Sequence, residues 1–334
     1  MRILVTGGAG FVGSHYVRTL LEGGYPGAEG ARVTVLDKLT YSGDRANLPA
    51  SAPGLEFVRG DICDAALVRE LMPGHDALVH FAAESHVDRS IEGAGAFFRT
   101  NVVGTDVLLD AALRSGVGRV VQVSTDEVYG SIAAGSWTED SPPAPNSPYA
   151  ASKAGADLAA RAYHRTHGLD VCVTRSSNNY GPHQHTEKLI PLFVTRLLEG
   201  RQVPLYGDGH HVREWLHVDD HCRAVHAVLT RGRAGEIYHV GGGTELPNTA
   251  LVARLLRLCG ADESAVVRVA DRPGHDERYS LDSTKIRREL GWEPRVGFEE
   301  GLRETVAWYR DNPGRWKTAG ESGRAGGRGG AQPA

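Results

Sequence analysis

Residues 2–21 read RILVTGGAGFVGSHYVRTLL. Arg2–Thr6 is a short, β-branched strand, and the glycines follow it without a linker. They fit GxGxxG from Gly8 and GxxGxxG from Gly7, and an amphipathic run over residues 14–21 comes next. In a chain with 42 glycines the spacing alone is weak. The strand before and the helix after supply the missing context, because glycines there permit a tight turn and let a helix N-terminus approach a pyrophosphate. The reading is a dinucleotide site with Gly7, Gly10 and Gly13 at the cofactor. It predicts an α/β fold: a Rossmann-type doubly wound parallel sheet with a smaller C-terminal substrate-binding lobe.

Working outward, residues 32–36 form a second strand that ends in Asp37, placed to bond the adenosine ribose hydroxyls. A carboxylate there repels a 2′-phosphate, so NAD is favoured over NADP, with adjacent Lys38 softening that preference. A third strand, Leu55–Arg59, leads to Gly60-Asp61-Ile62, where Asp61 borders the adenine or N-caps the helix Ala65–Leu71. A fourth, at 77–81, is followed by Ala82 and Ala83, small enough for close cofactor approach, and by Ser85, within reach of a substrate. Long helices are expected at 98–113 and 149–167, covering the sheet and leaving apolar surface for a second subunit.

The chemistry concentrates between residues 120 and 153, VVQVSTDEVYG through SPYAASK. A strand at 120–123 closes at Ser124, and Thr125, Asp126 and Glu127 follow. Tyr149 and Lys153 stand four apart, so they share a helix face. Free tyrosine has a pKa of about 10. A nearby ammonium, aided by a positive nicotinamide ring, should lower that value and let Tyr149 take an alcohol proton. Ser124 or Thr125 can hold that alcohol. Asp126 and Glu127 suit proton transfers beyond a redox step, as in loss of water. Strand neighbours point to opposite faces, so both reach one ligand only if the chain has left the sheet.

After a strand at 171–174 the pattern loosens, which predicts residues 1–175 as the NAD-binding domain with the catalytic groups. Residues 176–317 form mainly the nucleotide-sugar lobe, with some segments returning to the first domain, and residues 318–334 a disordered tail. The composition, 41% hydrophobic and 23% charged over 334 residues, is that of a globular protein. A net charge of −4 offers no footprint for nucleic acid or an anionic membrane. No apolar run reaches the roughly 18–20 residues of a span. Met1 leads directly into a strand, which leaves no room for a signal peptide. The cysteines, Cys63, Cys172, Cys222 and Cys259, form no CxxC pair and read as reduced. The 15 histidines are dispersed; His210–His211 and His183/His185 are the only tempting pairs, and no metal is expected. A cytoplasmic enzyme follows.

From TGGAGFVGS, VLDKLTYSGDRANL, HFAAESHVDRSI, VSTDEVYGS and SPYAASKAG to NNYGPHQHTEKLIPL, PLYGDGHHVREWLHVDDHC, YHVGGG and DRPGHDERYSLD, the chain resembles the dTDP-glucose 4,6-dehydratases of the extended short-chain dehydrogenase/reductases. Ser176, where a cysteine is expected, and the His183-Gln184-His185 segment depart from the pattern. The resemblance implies that Tyr149 takes the C4 hydroxyl proton while hydride passes to NAD. Glu127 then removes the C5 proton, Asp126 protonates the departing C6 hydroxyl, and hydride returns to C6. It extends the cofactor set to Phe11, Val12, Lys38, Leu39, Thr40, Ile62, Phe81, Thr100, Ser124 and Asn179, besides Tyr149 and Lys153. It implies a substrate set of Asn178, Lys188, Leu189, Pro204, Tyr206, Asn248, His275 and Tyr279, with Arg213 and Arg272 on the diphosphate. It also implies a homodimer through a four-helix bundle. The rivals are a UDP- or GDP-sugar dehydratase, a 4-epimerase, and a non-catalytic NAD-binding regulator.

Overall fold

The computed structural model describes residues 1–317; the tail expected at 318–334 lies outside the described residues. Six strands open the chain: β1 (Arg2–Thr6), β2 (Arg32–Asp37), β3 (Leu55–Arg59), β4 (Ala77–His80), β5 (Arg119–Thr125) and β6 (Val171–Ser176). Then come β7 (Asn178–Tyr180), β8 (Val203–Tyr206), β9 (Val212–His217), β10 (Ile237–Val240), β11 (Thr244–Pro247) and β12 (Val266–Val269). Seven of them make one parallel sheet in the order β10-β6-β5-β4-β1-β2-β3. The order reverses between β1 and β4, where Thr6 pairs with Leu36 on one side and His80 on the other. Crevices at such reversals hold ligands in open α/β sheets.

The central strands are apolar on both faces, and β4 and β6 are buried throughout, because helices cover both sides. One core cluster packs Tyr16, Val17 and Leu20 with Cys222, Val225 and Val228. The other packs Val68, Leu108 and Leu109 with Ala160. A third, separate cluster joins Ile190, Phe193, Val203, Leu251 and Leu302 in the second lobe. The helix Val218–Arg231 and β10 lie late in the chain but pack on the first sheet.

Three local expectations are corrected. The strand expected to close at Ser124 continues to Thr125, since both residues pair with β6. The helix expected at 98–113 is a π-helical turn, Phe98–Val103, followed by Gly104–Ser115. π turns are wider and often sit at functional sites; here one seats buried Asn101, which brackets Glu84 by accepting from its N–H at 2.9 Å and donating to its carbonyl at 3.0 Å. The helix Ala65–Leu71 is N-capped by Asp64, not Asp61; its carboxylate reaches the N–H groups of Ala66 and Leu67 at 3.1 and 3.2 Å. The helix Pro148–His167 begins as a helix should: Ser147 accepts from Ala150 N–H at 3.1 Å, and Pro148 opens the first turn. All four cysteines are free.

Candidate active site

A cleft of about 310 Å³ runs along the carboxyl edge of the sheet. Its floor at one end is the glycine turn. Gly7 has φ of 70°, and a Cβ there would lie 2.5 Å from Ala82 N. On Gly13 it would lie 2.2 Å from Gly7 O, so glycine at both positions keeps strand and helix in contact. Gly10 caps the helix Phe11–Leu21 with no side chain of its own, which leaves the first N–H groups of that helix facing the cleft.

Asp37 accepts from Ala9 N–H at 2.9 Å and Leu39 N–H at 2.8 Å, with lone pairs remaining for a ligand hydroxyl. Burial raises its pKa against the pull of those two bonds. Leu39 itself, at φ 55°, is absent from the cleft wall; its part is this backbone bond. Asp61 accepts from Lys38 Nζ at 2.7 Å. Partial burial works against its charge, but Lys38 and the Cys63 N–H bring its pKa below the usual value. Phe11, Val12, Thr40, Ile62, Phe81, Ala82, Ala83, Thr100, Ser124 and Asn179 also line the cleft.

The residues fit a dinucleotide. Asn178 Oδ1, Asn179 Oδ1, Gln184 Oε1 and both ring nitrogens of His221 are buried on this wall without hydrogen-bond partners. Each such group costs about 1–3 kcal/mol unless a polar ligand satisfies it.

At the other end the strand-to-turn transition at Thr125 brings the acids in. Thr125 Oγ1 caps the following 3₁₀ turn, Asp126–Tyr129, by accepting from Glu127 N–H at 3.2 Å. The chain has thereby left the sheet, and Asp126 and Glu127 both line the cleft with Thr125, Tyr149 and Lys153. Beneath them Ser124 Oγ and Arg175 Nε each donate to Asp157 at 2.9 Å, a buried bridge from β5 and β6 to the tyrosine's helix.

Burial raises the Asp126 carboxyl well above its normal pKa, and neighbouring Glu127 and Glu214 add to the shift. Glu127 is also raised by burial, but Arg272, Lys188 and Arg213 pull it back. Tyr149 differs from expectation: burial, then Glu127 and Asp126, push its phenol up, while a Thr125 hydrogen bond offsets a part. Lys153 donates to Val123 O at 2.7 Å, and burial lowers its pKa to about 8.

Residues 4–305 match the profile of the GDP-mannose 4,6 dehydratase family. The dTDP-glucose 4,6-dehydratase of Streptomyces niveus is 63% identical over 319 residues, 95% of each chain. The chain belongs to the dTDP-glucose 4,6-dehydratases. The crystal structure of the family member DesIV from Streptomyces venezuelae, solved with NAD and dTDP bound, superposes with a TM-score of 0.94 at 65% identity. That match covers 96% of this chain and 100% of the other. The UDP-glucose 4-epimerase of Thermotoga maritima, with UDP-glucose, is more distant at 33% identity, TM-score 0.87, and coverage of 94% and 100%.

Of the family substrate positions, Ser85, Asn178 and Lys188 line the cleft, and Lys188 Nζ donates to Ser85 O at 2.5 Å. Leu189, Pro204, Tyr206, Arg213, Asn248, Arg272, His275 and Tyr279 stand outside its wall, on the adjoining lobe. Arg213 is buried, donates to Asp276 O at 2.8 Å and lies 4.4 Å from the Tyr279 ring centre. Arg272 Nη1 lies 3.3 Å from Asp88, and its buried Nε has no partner. Sequence reasoning assigned no role to Glu84, Gln184, Glu187 or His221, all on the cleft wall. Glu187 stands beside Lys188 and binds Arg89 at 2.9 Å, which ties the lobe to the sheet domain. A charge run beside a predicted binding lysine was the available signal for it; His221 carried none.

Proposed function

We propose that the protein converts dTDP-glucose to dTDP-4-keto-6-deoxyglucose and water. The observation that carries this is the pair Asp126 and Glu127, both turned into the cleft beside Tyr149, with surroundings that separate their acidities. Acid and base roles are assigned by such separation. Asp126, buried beside two other carboxylates, keeps its proton and is the acid for the C6 hydroxyl. Glu127, facing three cations, ionises more readily and is the base for the C5 proton. NAD, held by the glycine turn, Asp37 and Asn179, supplies the redox step at C4 and its reversal at C6.

Tyr149 Oη accepts the C4 hydroxyl proton, and Thr125 orients that hydroxyl. Lys153, fixed on Val123 O, together with the positive nicotinamide ring of bound NAD, must offset the upward push of burial and the acid pair on the phenol, so that Tyr149 is a phenolate when it takes the proton. The C4 ketone acidifies C5–H for Glu127, which later returns a proton to C5. Arg213 and Arg272 hold the diphosphate, while Asn178, Lys188, Leu189, Pro204, Tyr206, Asn248, His275 and Tyr279 enclose the rest of the nucleotide sugar. An epimerase has no use for the acid pair. With substrate deuterated at C4, the label should appear at C6 of the same product molecule and no cofactor should be consumed. Label released to the pool, or reduced cofactor accumulating mole for mole, overturns the reading.

Residues 1–175 carry the cofactor and catalytic groups, and 176–317 mainly the nucleotide-sugar lobe. Phe98 and Val103 on the π turn and Leu158 on the helix Pro148–His167 are exposed. They fit a homodimer in which these helices form a four-helix bundle with a second copy. Light scattering should give twice the chain mass, and Leu158→Glu should reduce it to one. No helix among the described residues is long and apolar enough to cross a membrane, and the enzyme acts in the cytoplasm, which fractionation of the source cells tests.

A further inference from the structure

The two halves of the proposed chemistry stand on different elements. Asp126 and Glu127 belong to the 3₁₀ turn Asp126–Tyr129, and Tyr149 and Lys153 to the helix Pro148–His167. One side chain from a third element holds both. Arg175, on β6, donates through Nε to Asp157 of that helix at 2.9 Å. Through Nη1 it donates at 2.5 Å to the hydroxyl of Tyr129, the last residue of the turn. Arg175 and Asp157 are fully buried, and neither lines the cleft. The bonds beyond Tyr129 have a fixed direction. His239 Nδ1 lies 3.1 Å from the Asp282 carbonyl, which only accepts, so that nitrogen carries a proton. Burial lowers the ring's pKa to about 3 and keeps it neutral, so Nε2 accepts from Tyr129 O–H at 2.6 Å. The tyrosine oxygen therefore offers a lone pair to Arg175. Trp137 stacks on the same ring at 5.5 Å.

Stability is a weak reason for such a pair. Burying two charges is costly, and exchanging a buried pair for well-packed apolar side chains is often neutral or stabilising. Arg175 Nη2 and Asp157 Oδ1 are, besides, buried without partners. What the guanidinium does supply is geometry, because two donors in one rigid plane fix the separation of two acceptors. The phenol acts at C4 of the sugar and the acids at C5 and C6, so turn and helix must keep register across three adjacent carbons. A displacement of about 1 Å can cost about 10²-fold in rate. We propose that Arg175 is a positioning residue that sets the acid turn against the redox helix, so that loss of water keeps pace with oxidation. The inference rests on the dehydratase reading.

The test separates the two steps in full-length, NAD-loaded protein. Tyr129→Phe cuts the link from Arg175 to the turn and leaves the ion pair. Arg175→Lys keeps the charge without the fork. The double variant Arg175→Met with Asp157→Asn removes both charges and leaves Ser124 an acceptor. After rapid mixing with dTDP-glucose, reduced cofactor should form at close to the wild-type rate in each. Its decay, and the matching loss of water read by product mass, should slow by about 10–100-fold. Equal slowing of both steps, in line with lost thermal stability, reduces Arg175 to a structural residue and overturns the proposal; so does an unchanged ratio of the two rates. If the double variant fails to fold, Tyr129→Phe carries the same test. Amide hydrogen exchange without substrate gives an independent readout. Exchange over residues 124–130 should quicken in the variants while residues 148–157 keep the wild-type rate, and quickening of both segments or of neither counts against the proposal. A wild type that releases no water from dTDP-glucose sinks the dehydratase reading, and the exchange measurement then decides by itself whether Arg175 holds the turn.

Discussion

The two halves of the ligand-binding surface are built in different ways. On the sheet domain most of the groups assigned to cofactor and chemistry stand at or just past the end of a parallel strand or in the first two turns of a long helix. Gly7 follows β1, Asp37 ends β2, Thr125 ends β5, and Tyr149 opens the helix Pro148–His167. The second lobe sets Arg213, Tyr206, Arg272 and His275 on four-to-six-residue strands and turns. They are held by side-chain contacts instead, such as Arg213 over Tyr279 and Tyr206 against His275. A regular scaffold fixes atoms for bond making, while a loop-built one can differ in what it recognises.

If that division holds, substitutions in the sheet domain should act on rate and those in the lobe on affinity. The largest effect is expected from Tyr149→Phe, which removes the proton acceptor at C4. Both oxidation and water loss should fall toward the upper end of about 10²–10⁴-fold, measured by single-turnover cofactor absorbance and product mass. Asp126→Asn keeps the shape and removes the titrating proton. Water loss should slow within the same range of about 10²–10⁴-fold, while the first redox step persists and 4-keto-glucose accumulates. Equal loss of the first step in both variants would remove Asp126 from its role as elimination acid.

Arg272→Ala should sharpen the contrast from the other side. Loss of a charged hydrogen bond of about 1.5–3 kcal/mol should raise KM by roughly 10–100-fold with kcat nearly unchanged. A fall in kcat alone would erase the distinction between the regions. The last expected effect is on stability and leaves the chemistry of the site untouched. Burial lowers the pKa of His80, His221 and His239 to about 3 in the folded protein, against about 6.5 unfolded. The unfolded chain therefore binds protons first as pH falls, and stability declines below about 6.5, by up to about 1.4 kcal/mol per pH unit for each histidine. Thermal unfolding should shift down between pH 7 and 5. His80→Gln should reduce that slope, and an unchanged slope would show that other groups set it.

Six of the seven strands of the main sheet were legible because each is a short apolar run ended by a turn residue, and the same pattern located Asp37, Thr125 and the acid pair; β10, which joins β6 from far along the chain, was not. Tyr149 and Lys153 were legible because helical spacing alone puts them on one face. The π turn over Phe98–Val103 was not, since no propensity distinguishes a widened turn from the helix around it. Only tertiary structure decided that burial, and not Lys153, dominates the acidity of the Tyr149 phenol. Desolvation depends on everything packed around a group, which no local pattern records. The same holds for Arg213 beneath Tyr279 and for His211 against His275. Their partners lie more than sixty residues away in the chain, and proximity between them exists only after the lobe has folded.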